Sequence, residues 1–309
     1  MLTPILLACA AATSFAITNH IDKYLISRAV KNADPRALIV ISTLIAGAIM
    51  SIVYMFICNF QFTFDFSSIA LLLFNSALYV AALIFYFKSL SRDDPTIIVV
   101  MFQLIPVFML FLSPLFLENQ TITPWQLFGG ILVTLAALFI TYEPSKRRFS
   151  KKRLATLAMM AFVSLAYAIW YIVERYVNET HDFNQTIMWS NITMFIIGVF
   201  IMIFLKSFRK SFNKMIKTNG AKVMGMNFIN EVLNSAGGIL STLAGTMASV
   251  ALVSFVSQSV QQFAVMIIGV LIAKLFPKTH KSKLPRSDFI KRIIAIIICI
   301  IGLGFIEFG

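Results

Sequence analysis

The stretch NFINEVLN places Asn227, Asn230, Glu231 and Asn234 at i, i+3, i+4 and i+7. That spacing puts all four on one face of a helix. Gly238 and Ser241 continue the stripe. A carboxylate among amides can do one of three things. It can exchange a proton, pair with a cationic or amine-bearing solute, or sit neutral in a hydrogen-bonded network with its asparagines. The flanking residues are apolar, and a charge at the centre of a membrane helix costs at least about 2.5 kcal/mol. Glu231 is therefore the first candidate for chemistry. Burial would raise its affinity for a proton.

Other polar residues recur at helical spacing. Gln258 and Gln261 follow Ser254 and Ser257. Tyr167, Trp170, Tyr171 and Glu174 share a face, as do Thr186, Trp189, Ser190 and Thr193. Asn75, Tyr79 and Tyr86 lie along one side of another apolar run, and Gln103 interrupts the next. Any single Ser or Thr in such a place is best read as helix–helix glue. Six segments with polar stripes ask for a shared, water-accessible cavity. The rings of Tyr167, Trp170, Tyr171, Tyr79 and Trp189 can present faces to a cation, or pack and anchor at the interface. A carboxylate with aromatics suits an amine, an amino acid or an organic cation.

The rest of the chemistry is sparse. Three cysteines (Cys9, Cys58, Cys299) and three histidines lie far apart, without metal or redox spacing, so neither metal nor cofactor is expected. No HExxH, GxSxG or His-rich loop supplies a catalytic set, which argues against an enzyme.

These residues need elements to hold them, and composition names the kind. Of 309 residues, 59% are hydrophobic and 13% charged, against about 25% charged in soluble domains. The class is an integral membrane protein. Ten apolar segments approach the length needed to cross the hydrocarbon: 3–21, 37–58, 67–88, 95–117, 124–142, 154–174, 185–205, 222–243, 247–272 and 289–308. All would be helices, since lipid offers backbone groups no partners. The first is read as a retained helix, because no Lys or Arg precedes it and only eight residues precede Cys9.

The net charge of +13 then has a place. Every Lys and Arg except Arg175 falls in or beside the loops after segments 1, 3, 5, 7 and 9, including EPSKRRFSKKR at 143–153. By the positive-inside rule those loops are cytoplasmic and both termini lie outside, in a cell (inner or plasma) membrane. The charge encodes topology and contact with anionic lipid, and no nucleic-acid partner is needed.

The basic linker 143–153 separates a first half, 1–142, from a second, 154–309. IDKYL (21–25) and VERYV (173–177) both read apolar, acid, base, Tyr, apolar, at an offset of 152. FQLIPVF (102–108) and VSQSVQQF (256–263) align Gln103 with Gln258 at an offset of 155. Five spans per half would invert the second half, the arrangement of secondary transporters with a midplane site. Asp22, Lys23, Glu174 and Arg175 then sit at equivalent ends, as snorkelling anchors or as a gate.

Residues 86–140, YFKSLSRDDPTIIVVMFQLIPVFMLFLSPLFLENQTITPWQLFGGILVTLAALFI, resemble the repeat of EamA-type permeases of the drug/metabolite transporter superfamily. The resemblance rests on Ser89–Leu90, Pro106, Leu117–Glu118, Gln126 and Gly129–Gly130. It implies an all-α fold of ten transmembrane helices as two inverted five-helix repeats, and transport of a small molecule. In that family helices 5 and 10 lie outside the substrate cavity. The second half departs from the pattern, with Gln261 where Pro106 would fall. The resemblance leaves substrate, proton coupling and the choice between monomer and homodimer open.

Overall fold

The computed structural model describes residues 2–29, 35–63, 65–116, 122–143, 148–248, 250–275 and 286–309. Among them run eleven helices: α1 (Leu2–Tyr24), α2 (Arg36–Ile57), α3 (Phe66–Arg92), α4 (Pro95–Phe102), α5 (Leu104–Phe116), α6 (Pro124–Phe139), α7 (Lys151–Thr180), α8 (Phe183–Phe204), α9 (Lys206–Met247), α10 (Val250–Leu275) and α11 (Arg286–Phe308). A short antiparallel pairing, Tyr142–Glu143 with Arg148–Phe149, joins α6 to α7.

Local signals start these helices where expected. Thr123 and Gln126 form a reciprocal capping box on α6, with Pro124 at its first position. Asp182 caps α8 by accepting from the Asn184 and Gln185 amides. The break between α4 and α5 has a cause in Pro106. Proline has no N–H to bond the Phe102 carbonyl, and the Gln103 amide shifts to Val100 O. The side chain of Gln103 then takes the place of its own backbone, donating Nε2 to Val99 O at 3.1 Å.

Eight helical segments are long and apolar enough to cross a membrane. Two of the ten expected spans do not meet that measure, each for a visible reason. The segment at 124–142 forms a helix of 16 residues. The segment at 222–243 carries the polar seam and belongs to α9, which runs 42 residues from Lys206. The sequence places 206–222 in a loop. The structure makes it helical, because its Lys and Arg are good helix formers and no proline interrupts them.

The chain divides into two compact units. One comprises 1–23, 89–165 and 233–309, and the other 24–88 and 166–232. In the first, α6 and α11 approach through glycine. A Cβ on Gly129 would stand 2.5 Å from the Gly302 carbonyl oxygen, the close backbone contact that small residues permit between membrane helices. Val107, Val133, Leu303 and Ile306 fill the adjoining core. Helix α1 offers Ala8, Ala11, Ala12 and Ala16, all fully buried, and Ser14 donates to Leu233 O at 2.8 Å.

In the second unit, α2 packs on α8. A Cβ on Gly47 would meet Phe195 N at 2.9 Å. Ser76 and Thr193 are hydrogen-bonded at 2.9 Å. Helix α2 widens into a π-helical turn at Ser42–Ala46, a form that often marks functional positions. Large apolar side chains such as Phe56, Phe66, Phe200 and Leu275 are exposed, as a lipid-facing surface requires.

Candidate functional site

The polar seam of α9 is split between the units. Asn227, Asn230 and Glu231 belong to the second, and Asn234 to the first. Asn227 and Asn230 are buried, 1% and 4% exposed, while Glu231 and Asn234 are half-buried. The carboxylate of Glu231 is hydrogen-bonded by Ser42, at the start of the π turn. That partner is a hydroxyl on another helix. Asn227 is the anomaly, since among the described residues neither its amide nitrogen nor its oxygen has a hydrogen-bond partner. A buried amide left so costs about 1–3 kcal/mol.

The same unit holds most of the aromatic candidates. Tyr79 and Tyr167 meet edge to face at 5.8 Å, and Trp170 and Tyr171 at 5.1 Å. Asn75, buried at 1%, donates to Trp170 O at 3.3 Å. Trp189 meets Phe62 at 6.2 Å. Tyr171 is 39% exposed, the most open of these rings.

Glu174 moves in status. Its segment was expected to end at that residue, but α7 continues to Thr180. The exposed pair Arg175–Glu179 at i,i+4 accompanies the extra turn. Glu174 therefore lies within the helix, where Ser190 donates to it at 3.4 Å. In the second unit Glu174 and Glu231 each face a serine of another helix, whereas Glu179 pairs with Arg175 on its own.

Of the remaining candidates, Gln103, Gln258 and Gln261 lie in the first unit. Gln103 is fully buried and its Oε1 has no hydrogen-bond partner among the described residues. Gln258 and Gln261 are half-buried. The buried glutamine of that run is Gln262, 1% exposed, whose Nε2 reaches Gln258 O at 3.5 Å and whose Oε1 has no partner among the described residues. The sequence pattern passed over Gln262, because the spacing from Ser254 singles out 261.

Asp22 is buried at 8%. Lys23 donates to the Leu90 and Asp93 carbonyls at 2.6 and 2.9 Å, closing the end of α3. Just beyond lies a charged corner that sequence reasoning missed. Asp93 accepts from Thr156 at 2.7 Å and pairs with Arg153 at 3.7 Å. Asp94 pairs with Arg292 at 2.6 Å. Burial alone would raise the Asp94 carboxyl, but the Arg292 guanidinium, with Lys23 and Arg153 near, outweighs it and holds the group below its ordinary value. Lys291 donates to Ile140 and Tyr142 carbonyls at 3.3 and 2.6 Å. The Asp-Asp-Pro triplet before α4 is a legible helix-start signal. Its partners, nearly 200 residues away in the case of Arg292, are not.

Among the described residues, no group of three or more His, Cys, Asp and Glu could hold a metal ion. The site's repertoire is hydrogen bonding, ion pairing and proton exchange.

Comparison with known proteins adds the family. No curated protein sequence matches the chain. A solved crystal structure is similar with a TM-score of 0.52 at 11% identity, covering 96% of this chain and 95% of that one. At that identity it speaks for the fold alone. The model of the EamA-like transporter family matches residues 2–142. The resemblance read at 86–140 lies inside that segment, although Leu117 and Glu118 fall outside the described residues. Over residues 2–142, a little under half of its length, the chain is similar to the EamA-like transporter family.

Proposed function

We propose that the protein is a secondary active transporter. It moves a small polar metabolite, amino acid or organic cation across the cytoplasmic membrane by alternating access. The observation that carries this reading is Asn227, a buried amide with no hydrogen-bond partner among the described residues, one helical turn from the carboxylate Glu231. A chain does not keep such an amide for stability. A passing solute or water completes its hydrogen bonds. The family match over 2–142 supports transport, and the serine-held carboxylates Glu231 and Glu174 fit a solute amine or an exchangeable proton.

In this reading ten helices form two inverted halves, 1–142 and 154–309, joined by the basic linker 143–153. The positive-inside rule places the basic loops in the cytoplasm and both termini outside. Several of those basic residues, at 30–34, 144–147 and 276–285, lie outside the described residues. A reporter fused after Gly309 tests the orientation. Cytoplasmic-only activity there refutes it.

The test of coupling is Glu231→Gln in proteoliposomes, after a thermal-shift screen of metabolites and organic cations has named a substrate. The variant folds, and its uptake loses both its response to an imposed pH gradient and most of its rate. Unchanged, pH-responsive transport would remove Glu231 from the mechanism. Uptake that is normal but never pH-driven, in wild type as well, identifies a facilitative exchanger of the same fold.

A further inference from the structure

Beside the corner between α3 and α4 lies a cavity of about 260 Å³. Its charged walls are Lys23, Arg92, Lys152 and Arg153 against Asp93 and Asp94. The two carboxylates are engaged, Asp93 by Thr156 and Arg153, Asp94 by Arg292. The cations are less well matched. Arg92 has no side-chain hydrogen bond or ion pair among the described residues. Arg153 Nη1 is buried without a hydrogen-bond partner among the described residues. The ammonium group of Lys152 rests on a neutral backbone carbonyl, Arg92 O at 2.7 Å, while Lys23 holds two carbonyls and lies near Asp94 and Asp93.

Four cations against two anions leave the lining at a formal +2. Its polar groups are mostly donors, and two of the four cations are guanidinium forks, which match tetrahedral oxyanions better than point charges do. A cavity of this size is smaller than the roughly 300–1,000 Å³ of drug-sized pockets and suits one compact anion. We propose that this cavity binds a phosphate group, contributed by inorganic phosphate or by the headgroup of an anionic phospholipid. The site is separate from the seam around Glu231 and does not depend on the transport reading. Its place beside the basic linker is where anionic lipid would be met.

Arg92→Gln is the informative variant, because its half-exposed side chain leaves no orphaned partner. The purified full chain is compared with the variant in neutral detergent, in sodium phosphate against sodium chloride at equal ionic strength. Both are then placed in bilayers of phosphatidylcholine with or without phosphatidylglycerol. Stabilisation of the wild type by phosphate, weakened about tenfold in apparent affinity in the variant, assigns the site to the free anion. Stabilisation by phosphatidylglycerol alone, again lost in the variant, assigns it to the lipid headgroup. Equal responses of the two proteins to both probes, including no response in either, overturn the proposal.

Discussion

IDKYL and VERYV carry the same order of residue classes, yet their charged residues live differently. Lys23 spans to the end of α3 and holds two backbone carbonyls. Arg175 reaches four residues along its own helix to Glu179, both side chains half-exposed. Their acidic neighbours diverge as well. Asp22 is buried, and Glu174 accepts from Ser190. A repeated pattern sets which way a side chain leaves its helix. What it meets depends on the helix opposite, and that differs between the units. The first unit spends its charges on a stabilising corner. The second keeps Glu174 and Glu231 opposite serines, and among the described residues neither polar atom of the Asn227 amide finds a hydrogen-bond partner.

This contrast can be broken from the charged side first. Arg292→Leu leaves Asp94 without its main cation. The cost is about 2 kcal/mol, below the roughly 3–5 kcal/mol of a fully buried pair because Asp94 keeps contact with water. Chemical unfolding in detergent reads it. The pH dependence has a definite sign. Asp94 titrates lower in the folded protein, so its contribution is fully present above its ordinary value of 3.8 and is lost as pH falls below that. The Arg292→Leu deficit should thus be constant from neutral pH to about 5 and shrink in stronger acid. A deficit that shrinks between pH 7 and 5 would point to a different partner.

Next in size is Lys23→Met. Two helix-end carbonyls lose their donor, at about 1–2 kcal/mol in the same measurement. Its counterpart Arg175→Gln removes an exposed i,i+4 pair and shifts stability by no more than about 0.5 kcal/mol. Equal costs at the two sites would erase the distinction between anchor and bystander. Smallest of all is Asn227→Leu. Replacing an unpartnered buried amide by an apolar group of similar size leaves stability unchanged or slightly improved, while transport falls. A marked loss of stability would return Asn227 to the structural class.

The candidate site was legible where periodicity alone decides. Asn227, Asn230 and Glu231 share a face because they share a helix, and Tyr79 and Tyr167 do meet. It was illegible where a partner comes from elsewhere in the chain. Nothing near Glu231 in sequence points to Ser42, and nothing near Asp94 points to Arg292. Gln262 was passed over because a strict spacing rule preferred its neighbour. Glu174 reads in the sequence as a helix-end residue because hydropathy fades after it, whereas backbone hydrogen bonds carry the helix on to Thr180.

The sequence by itself determined that this chain is helical, belongs to a membrane, and gathers its positive charges between apolar segments. Those properties follow from composition and local spacing, which act through the solvent each residue prefers. Only the tertiary structure decided which polar groups are satisfied and which are left waiting. Whether Asn227 has a partner, or Arg292 a carboxylate, depends on distances of about 3 Å between residues far apart in the chain, and no local pattern encodes them.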